Sequence, residues 1–267
     1  MTKPFMLCAM IAMGGLGVVL ALGNAAHAAE ALIALERKAA DGDVDAQRDL
    51  GLAFLFGKYG EPDGGQAKRW LLAAAKQQDA PAQAALGYVL ETGVGGDGTD
   101  VAQAVTWYEQ AARQNHPVAQ GRLGLIYLRD GPMRDYAAAA KWLAKAAAWG
   151  DQQAQLAMAE LYEEGRGVPR DDALAATWYS AAAAQKNVLA QWRLGRLYEL
   201  GRGVSRDYVK AYMWYSIAGV WDLDADGSVP ESDPRHALAQ KMERVDIEHA
   251  ETLAAQWWED HFQPAAS

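Results

Sequence analysis

The sequence predicts an all-α fold, an α-solenoid of stacked antiparallel helix pairs, because three landmarks recur along it at a nearly constant interval. Tryptophans are spaced 37, 35, 36 and 36 residues apart, an Asp precedes each by seven residues, and an Ala-Gln pair lies 23 to 25 residues upstream of each. These positions are Trp70, Trp107, Trp142, Trp178 and Trp214; Asp63, Asp100, Asp135, Asp171 and Asp207; and Ala46-Gln47, Ala82-Gln83, Ala119-Gln120, Ala154-Gln155 and Ala190-Gln191. Units of this length cannot bury a core alone and must stack.

Residues 1–28 have the pattern of a cleaved signal peptide. Lys3 supplies a positive charge, residues 5–22 are apolar, and Ala26-His27-Ala28 matches the small-residue cleavage pattern. We expect a mature chain that begins near Ala29 and is periplasmic or secreted, without membrane insertion. The alternative is a retained anchor, because the 18 apolar residues just reach the spanning minimum of roughly 17–20.

Composition excludes several classes of function. The single cysteine, Cys8, lies in the signal segment, so the mature chain is expected to have neither disulfides nor thiol chemistry. Cleavage changes the formal net charge from −9 to −10, and no basic run follows, so nucleic acid is not an expected partner. No Ser-x-x-Lys, G-x-S-x-G or H-E-x-x-H motif occurs, and the histidines lack ligand spacing. We therefore predict a protein that is not an enzyme and requires no cofactor, and a hydrolase is the weaker alternative.

Residues 29–45 are predicted to form an N-terminal capping helix, followed by five repeats at 46–81, 82–118, 119–153, 154–189 and 190–219. The fourth repeat illustrates the first helix of each pair. Ala154, Met158, Leu161 and Tyr162 are spaced i, i+4, i+7 and i+8, so they form one apolar stripe. Gly165 and Gly167 then end this helix, and Pro169 prevents its continuation.

The second helix of each pair begins at the recurring Asp, which is expected to cap it. In the fourth repeat Asp171 can accept hydrogen bonds from the free N–H groups of the first turn. Trp178 follows, between Ala175 and Ala182 on the same face. We interpret the tryptophan row as core, and the alternative is a row of rings that binds sugars or bases.

A small residue recurs in the middle of every first helix, at Gly51, Gly87, Gly124, Ala159 and Gly195. Glycine there costs about 1 kcal/mol relative to alanine. We expect the facing tryptophan or a neighbouring backbone to approach closely enough to offset that cost.

The chain after the repeats is predicted to contain a linker rich in Asp and Gly at 220–234, then capping helices and a tail at 235–267. The linker resembles the opening of a calcium loop, with Asp222, Asp224, Asp226 and Asp233 as candidate ligands. The twelfth position is Asp233 rather than Glu, and Pro230 occupies the ninth, so any affinity for calcium should be weak. The alternative is a linker that binds no metal.

The repeated frame A-x-x-x-L-G-x-x-Y-x-x-G-x-G-V-x-x-D-x-x-x-A-x-x-W-Y-x-x-A-A resembles the Sel1-like repeat, a relative of the tetratricopeptide repeat. The match is best between Ala190 and Gly219, whereas Gly57 to Gly60 and Gly131 to Met133 depart from the G-x-G-V loop. The resemblance implies a right-handed α-solenoid and an adaptor role in protein complexes. For an exported bacterial member it implies a scaffold or regulator in the cell envelope.

First helices are expected to line the concave face of a solenoid, so their variable positions are candidates for partner binding. These positions include Arg122, Arg129, Glu160, Trp192, Arg193, Arg196 and Glu199. Trp192 is the leading candidate, because tryptophan and arginine are enriched at binding hot spots. The alternatives are that Trp192 packs against the C-terminal cap and that the glutamates form a solvated acidic face. The predicted function is a scaffold that binds another envelope protein, and the alternative is a calcium-responsive module.

Overall fold

The computed structural model describes residues 29–94, 98–219 and 233–262, and these residues form thirteen helices and no strand. The chain divides into two compact units, Met1–Ala119 and Gln120–Ser267, and the division falls inside α6. The helices are α1 (29–40), α2 (Val44–Leu55), α3 (Gly64–Lys76), α4 (Ala80–Thr92), α5 (Val101–Arg113), α6 (Pro117–Leu128), α7 (Tyr136–Ala148), α8 (Gln152–Glu164), α9 (Asp172–Ala184), α10 (Val188–Leu200), α11 (Tyr208–Ala218), α12 (Pro234–Ala239) and α13 (Arg244–Phe262). The predicted all-α fold of helix pairs is confirmed.

Side-chain caps fix where the helices begin. The carboxylate of each predicted Asp accepts hydrogen bonds from the first turn of the second helix, as expected: Asp63, Asp100, Asp135, Asp171 and Asp207. The first helices have caps that the sequence analysis did not identify, namely Asp43, Asp79, Asp151 and Asn187. Each cap satisfies an N–H group that would otherwise have no partner in the helix.

The first unit is built on helices α1 to α5. Ala39 of α1 packs with Ala46 and Leu50 of α2, and Trp70 of α3 lies against this cluster. Helix α1 therefore packs on the first helix pair, and α2 already begins at Val44, inside the range predicted for the cap.

The second unit repeats this arrangement and closes with two further helices. One core cluster joins α7 to α8, and another joins α8, α9 and α10. After α11 the chain returns as α12 and α13, where Leu238 and Ala250 are fully buried. Leu238 packs with Tyr215 of α11, and the ring of Trp257 lies 6.0 Å from that of Trp214. The last repeat is thereby shielded from solvent by α12 and α13.

The tryptophans pack at the edge of the core rather than at its centre. All five are only half-buried, whereas the residue that follows each one is buried: Leu71, Tyr108, Leu143, Tyr179 and Tyr215. Trp178 contacts the clusters on both sides of its helix pair, so its ring bridges successive repeats and keeps an edge in solvent.

The same buried position explains the small residue in the middle of each first helix. A Cβ on Gly124 would lie 2.5 Å from Cγ of Leu143, and one on Gly195 would lie 2.9 Å from Cδ1 of Tyr215. The closest side chain is therefore that of the residue after the tryptophan. The sequence analysis predicted the tryptophan itself or a neighbouring backbone. Backbone atoms also approach, since the carbonyl oxygen of Ala211 would lie 3.2 Å from the Cβ on Gly195.

The glutamine of the Ala-Gln pair links successive helix pairs. Nε2 of Gln155 donates to the carbonyl of Ala147, and Nε2 of Gln191 donates to that of Ala183, at 3.2 and 3.1 Å. Gln155 also accepts from Gln185, the residue that ends the second helix of its own repeat, at 2.8 Å. Gln47 and Gln83 of the first unit make the corresponding bonds. The recurring glutamine thus satisfies a carbonyl at the end of the preceding helix.

Candidate functional site

The candidate partner-binding residues of the second unit lie mainly on two first helices, α8 and α10. Glu163 of α8 is the centre of their contacts, with a side chain that is 11% exposed. The hydroxyl of Tyr179 donates to Glu163 at 2.7 Å, and the guanidinium of Arg202 donates to it at 3.4 Å. Arg193 of α10 reaches the same carboxylate at 3.9 Å. These contacts hold α8 and α10 side by side.

Trp192 is half-buried near the start of α10. Its ring lies 6.3 Å from that of Tyr215 and packs on the cluster that contains Leu238 of α12. The guanidinium carbons of Arg193 and Arg196 lie 5.6 and 5.8 Å from its ring centroid, within the range of cation–π attraction. The ring therefore contacts the C-terminal helices and also has two guanidinium groups within 6 Å of its centroid.

Arg196 and Glu199, which follow on α10, have different surroundings. Arg196 is exposed, and within the described part of the chain its guanidinium makes no ion pair. Glu199 accepts a hydrogen bond of 2.9 Å from the hydroxyl of Tyr215, and Lys241 lies 3.5 Å from its other oxygen. Burial, together with this bond to Glu199, raises the pKa of Tyr215. Glu199 thus links α10 to Tyr215 of α11, whereas Arg196 is exposed.

Glu160 lies one turn before Glu164 on α8 and is half-buried. Burial raises the pKa of its carboxyl group; the negative charges of Glu164 and Glu163 act in the same direction, and Arg193 opposes them. The glutamates of this repeat are therefore not a uniformly solvated face, since Glu163 is hydrogen-bonded inside the structure and Glu160 is partly desolvated.

An ion pair between successive repeats adjoins this group. Arg202 donates two hydrogen bonds to Asp172, at 2.9 and 3.1 Å, in a bidentate arrangement. The bonds from Arg202, followed by those from Arg170, lower the pKa of Asp172 to about 2. Bidentate pairing fixes the geometry between the loop after α10 and the start of α9.

The remaining predicted residues lie elsewhere. Arg122 is half-buried on α6, and Arg129 is exposed directly after it. Of the candidate calcium ligands, Asp222, Asp224 and Asp226 lie outside the described residues. Asp233 caps α12, and its carboxylate pairs with Arg235 at 2.7 Å. Calcium binding stays a prediction, and it would require Asp233 to exchange Arg235 for the metal.

The described residues contain neither a membrane-spanning helix nor a group of metal ligands. None of the helices in residues 29–94, 98–219 and 233–262 is long and apolar enough to cross a bilayer. The same residues contain no group of three or more His, Asp, Glu or Cys side chains placed to hold a metal ion.

Sequence reasoning missed Tyr179, Tyr215 and Arg202, although the sequence carries a signal for the first two. Two positions of the repeat vary together from one repeat to the next. One directly follows the tryptophan, and the other lies nine residues after the alanine of the Ala-Gln pair. Repeats two, four and five have Tyr with Glu, at Tyr108 and Glu91, Tyr179 and Glu163, and Tyr215 and Glu199, whereas repeats one and three have Leu at both positions. The hydroxyl of Tyr108 donates to Glu91 at 3.0 Å, which completes the correspondence.

These features define a helical repeat protein whose first helices carry the variable, chemically distinctive side chains. The chain belongs to the Sel1 repeat family, because five consecutive segments match the Sel1 repeat: 44–79, 80–116, 117–151, 152–187 and 188–219. Each segment begins at the first residue of a first helix, two residues before the repeat start inferred from the Ala-Gln pair.

Solved structures show the same fold. The crystal structure of c5321, a protective antigen of uropathogenic Escherichia coli that displays an SLR fold, is 30% identical, with a TM-score of 0.73 over 88% of this chain and 52% of that one. A Sel1 repeat protein from Oxalobacter formigenes is 28% identical, with a TM-score of 0.64 over 81% of this chain and 89% of that one.

A curated relative from Neisseria meningitidis serogroup B, the uncharacterized protein NMB1327, is 37% identical over 93 residues, which are 35% of this chain and 19% of that protein. The present chain therefore spans only about half of the E. coli antigen and about a fifth of the Neisseria protein.

Proposed function

We propose that this protein is a non-catalytic interaction module that binds an extended segment of another cell-envelope protein on the second unit. The binding surface is formed by the first helices α8 and α10, and Trp192 with its two flanking arginines is its centre. The observation that carries this proposal is the placement of Arg193 and Arg196 within 6 Å of the Trp192 ring.

The surroundings of Trp192 suit a binding anchor. The buried part of its ring rests on Tyr215 and the C-terminal helices, so little side-chain entropy remains to be lost on binding. Two guanidinium groups lie within 6 Å of the ring centroid, and tryptophan and arginine together are typical of hot spots. Packing against the cap therefore positions the ring for contact with a partner.

The charges near Trp192 indicate the chemistry of the partner segment. Arg193 is attracted to Glu163, whereas Arg196 has no carboxylate partner among the described residues. We therefore expect the segment to place an apolar or aromatic side chain on Trp192 and a carboxylate on Arg196. A carboxylate can accept two parallel hydrogen bonds from a guanidinium, which gives orientation as well as affinity.

The proposed location in the cell envelope depends on residues 1–28, which have the pattern of a signal peptide but lie outside the described residues. The measurement that tests this part of the proposal is the N-terminal sequence of the protein recovered from the periplasm. A mature chain that starts near Ala29 would support export, and an intact N-terminus would contradict cleavage.

The experiment that tests the surface is capture of partners from envelope extract by the wild-type chain and by the double variant Trp192→Ala, Arg196→Ala. The control is Trp149→Ala with Arg244→Ala, which also removes one tryptophan and one exposed arginine, but away from α8 and α10. Loss of one dominant partner in the first variant alone, with unchanged helicity, would support the proposal. An unchanged set of partners would refute it.

A further inference from the structure

A cavity of about 180 Å³ lies beside α8 in the second unit. The apolar part of its lining comes from three consecutive helices: Leu128 at the end of α6, Tyr136 at the start of α7, and Ala157 and Leu161 on α8. The charged side chains of Glu160, Glu164 and Arg166 complete the lining. Leu161 and Ala157 are buried in the core of the repeat, so the floor of the cavity is fixed by packing.

The carboxylate of Glu160 lines this cavity without a direct partner among the described residues, although the charges of Arg193 and Arg166 lower its pKa through space. Neighbouring acidic groups have partners: Glu164 pairs with Arg166 at 2.9 Å, and Glu163 accepts from Tyr179 at 2.7 Å. Glu160 forms no hydrogen bond and no ion pair with any other described residue, although it is half-buried. A carboxylate that is partly removed from water without a partner is unfavourable, and a bound cation would relieve that cost.

We propose that this cavity receives a basic side chain, lysine or arginine, from the bound partner segment, with its cationic end on Glu160. The inference rests on the proposed function, because it supplies the specificity of the same peptide-binding unit. The aliphatic stem of such a side chain would lie against Leu128, Leu161 and the ring of Tyr136, and the charge would remain at the rim.

The local charges favour a cation over an anion or a neutral group. Among the lining side chains, Arg166 is engaged by Glu164, so Glu160 leaves an excess of one negative charge. Burial raises the pKa of Glu160, and the charges of Glu164 and Glu163 act in the same direction. A positively charged ligand beside the carboxylate would lower this pKa again. Arg193 also lowers the pKa of Glu160 by its charge, but the carboxylate that it pairs with, at 3.9 Å, is that of Glu163.

The position of the cavity also agrees with the surface proposed above. Glu160 is on α8 and feels the charge of Arg193, which lies next to Trp192 on α10. A segment that crosses α8 and α10 would therefore meet an acidic cavity followed by an aromatic ring with a free guanidinium. Such a sequence of sites selects a peptide with a basic residue on one side of an apolar residue and an acidic residue on the other.

The test uses the full chain and three synthetic probes of the form acetyl-Ala-Ala-X-Ala-Ala-amide, in which X is lysine, arginine or norleucine. Norleucine keeps the aliphatic stem and lacks the charge. Binding is followed by the backbone NMR signals of α8, whose shifts give a dissociation constant even for weak ligands. We expect the lysine or arginine probe to bind at least about tenfold more tightly than the norleucine probe, as a hydrogen-bonded charge pair provides.

Two variants assign this preference to the cavity. Glu160→Gln, which keeps size and polarity, should abolish the difference between charged and norleucine probes, whereas Glu164→Gln should retain it because Glu164 is already paired with Arg166. In the wild-type chain the lysine probe should also shift the carboxyl titration of Glu160 to lower pH. Circular dichroism checks that both variants are folded.

The inference is overturned if the basic and norleucine probes bind equally, if no probe saturates by about 10 mM, or if Glu160→Gln retains the preference. None of these results bears on the Trp192 surface, which is tested by partner capture with the Trp192→Ala, Arg196→Ala variant. Failure of the cavity and failure of the binding surface are therefore separate outcomes.

Discussion

The hydroxyl group of Tyr179 donates a hydrogen bond of 2.7 Å to the carboxylate of Glu163, and so joins the second helix of the fourth repeat to its first helix. The tyrosine is fully buried, and Glu163 also accepts from Arg202 of the following repeat. Burial, together with the bond to Glu163, raises the pKa of Tyr179, so it is a neutral donor at any physiological pH. This bond therefore connects the packing within one repeat to the contact with the next.

Removal of the hydroxyl in Tyr179→Phe should lower the free energy of unfolding by about 1–2 kcal/mol, because it leaves a mostly buried carboxylate with one donor fewer. Chemical denaturation with urea measures the change. Tyr162→Phe is the matched control, since the hydroxyl of Tyr162 forms no hydrogen bond to another described residue and its ring is also partly buried. Equal losses in the two variants would contradict the assigned role.

The pairing of Tyr with Glu should also be replaceable by Leu with Leu, because the first and third repeats have Leu55 with Leu71 and Leu128 with Leu143 at these positions. Tyr179→Leu and Glu163→Leu are each expected to destabilise the fold. The double variant should be more stable than the sum of the single effects by about 1 kcal/mol or more, since residues in contact are not additive. A double-mutant cycle in urea measures this coupling, and strict additivity would exclude it.

The two glycines of the loop after α10 are predicted to differ in their tolerance of alanine. Both have positive φ, 66° at Gly201 and 68° at Gly203, which costs an alanine roughly 1–2 kcal/mol. A Cβ on Gly203 would in addition overlap the carbonyl group of Asp172, which is backbone and cannot move aside cheaply. At Gly201 the Cβ would lie 3.1 Å from Cβ of Arg206, a contact that small shifts can relieve.

Gly203→Ala should therefore lower the free energy of unfolding by about 2 kcal/mol or more beyond the loss caused by Gly201→Ala. Its thermal midpoint should be lower accordingly. Differential scanning calorimetry of the two variants compares them directly. Since the overlap involves the start of α9, the larger effect should be accompanied by faster hydrogen exchange there. Similar midpoints for the two variants would show that the loop moves to accommodate the methyl group.

The ion pair between Arg202 and Asp172 predicts an acid-dependent part of the stability. The pKa of Asp172 is lowered from 3.8 to about 2, first by the bonds from Arg202 and then by those from Arg170. A folded-state pKa below the unfolded value means that the stabilisation is present above pH 3.8 and is lost as the pH falls toward 2. Arg202→Gln should remove most of it, about 1 kcal/mol for a pair that is partly exposed.

Arg170→Gln is the control for this pair, because Arg170 is 58% exposed and contacts Asp172 only from two residues away in the chain. Urea denaturation between pH 5 and pH 2 should show a flatter acid limb for Arg202→Gln than for Arg170→Gln. The opposite order would assign the low pKa to the local contact rather than to the link between repeats.

The sequence was sufficient for the fold because the repeat signals are local. The caps at Asp171 and its four counterparts each depend on one side chain and the next three backbone N–H groups. Because these aspartates recur at a fixed period, they identify the start of each second helix. How deeply the tryptophans are buried could not be predicted, for a physical reason. A helical stripe shows which side is buried but not how deeply, and Trp178 lies between two repeats while Tyr179 lies inside one.

The candidate surface was only partly predictable. Trp192 stood out because no other repeat has an indole at its position. The cavity beside Glu160 could not be found in this way, since its walls come from helices α6, α7 and α8, and its shape depends on how they pack. Likewise, the sequence does not distinguish Glu160 from Glu163 on the same helix, yet Glu163 is held by Tyr179 and Glu160 has no such partner among the described residues.

A last prediction concerns His116, which occupies the capping position at the start of α6 where the other first helices have Asp or Asn. Its Nδ1 lies 3.4 Å from the backbone N–H of Ala119, so the neutral imidazole accepts the weak capping bond. Protonation would remove this acceptor and place a positive charge at a helix N-terminus, which is unfavourable. Burial lowers the pKa of His116, although the nearby Asp79 opposes the shift.

Because the folded-state pKa lies below the unfolded value of about 6.5, the unfolded chain binds the proton first as the pH falls. The stability attributable to His116 is therefore complete above pH 6.5 and decreases below it until the folded state is protonated as well. His116→Asn should flatten this decrease, because asparagine is a good cap that does not titrate. His249→Asn, at an exposed position, should leave it unchanged. The measurement is the urea midpoint of unfolding between pH 7.5 and 5. If the midpoint of His116→Asn decreases with pH as steeply as that of the wild type, another group is responsible for the decrease.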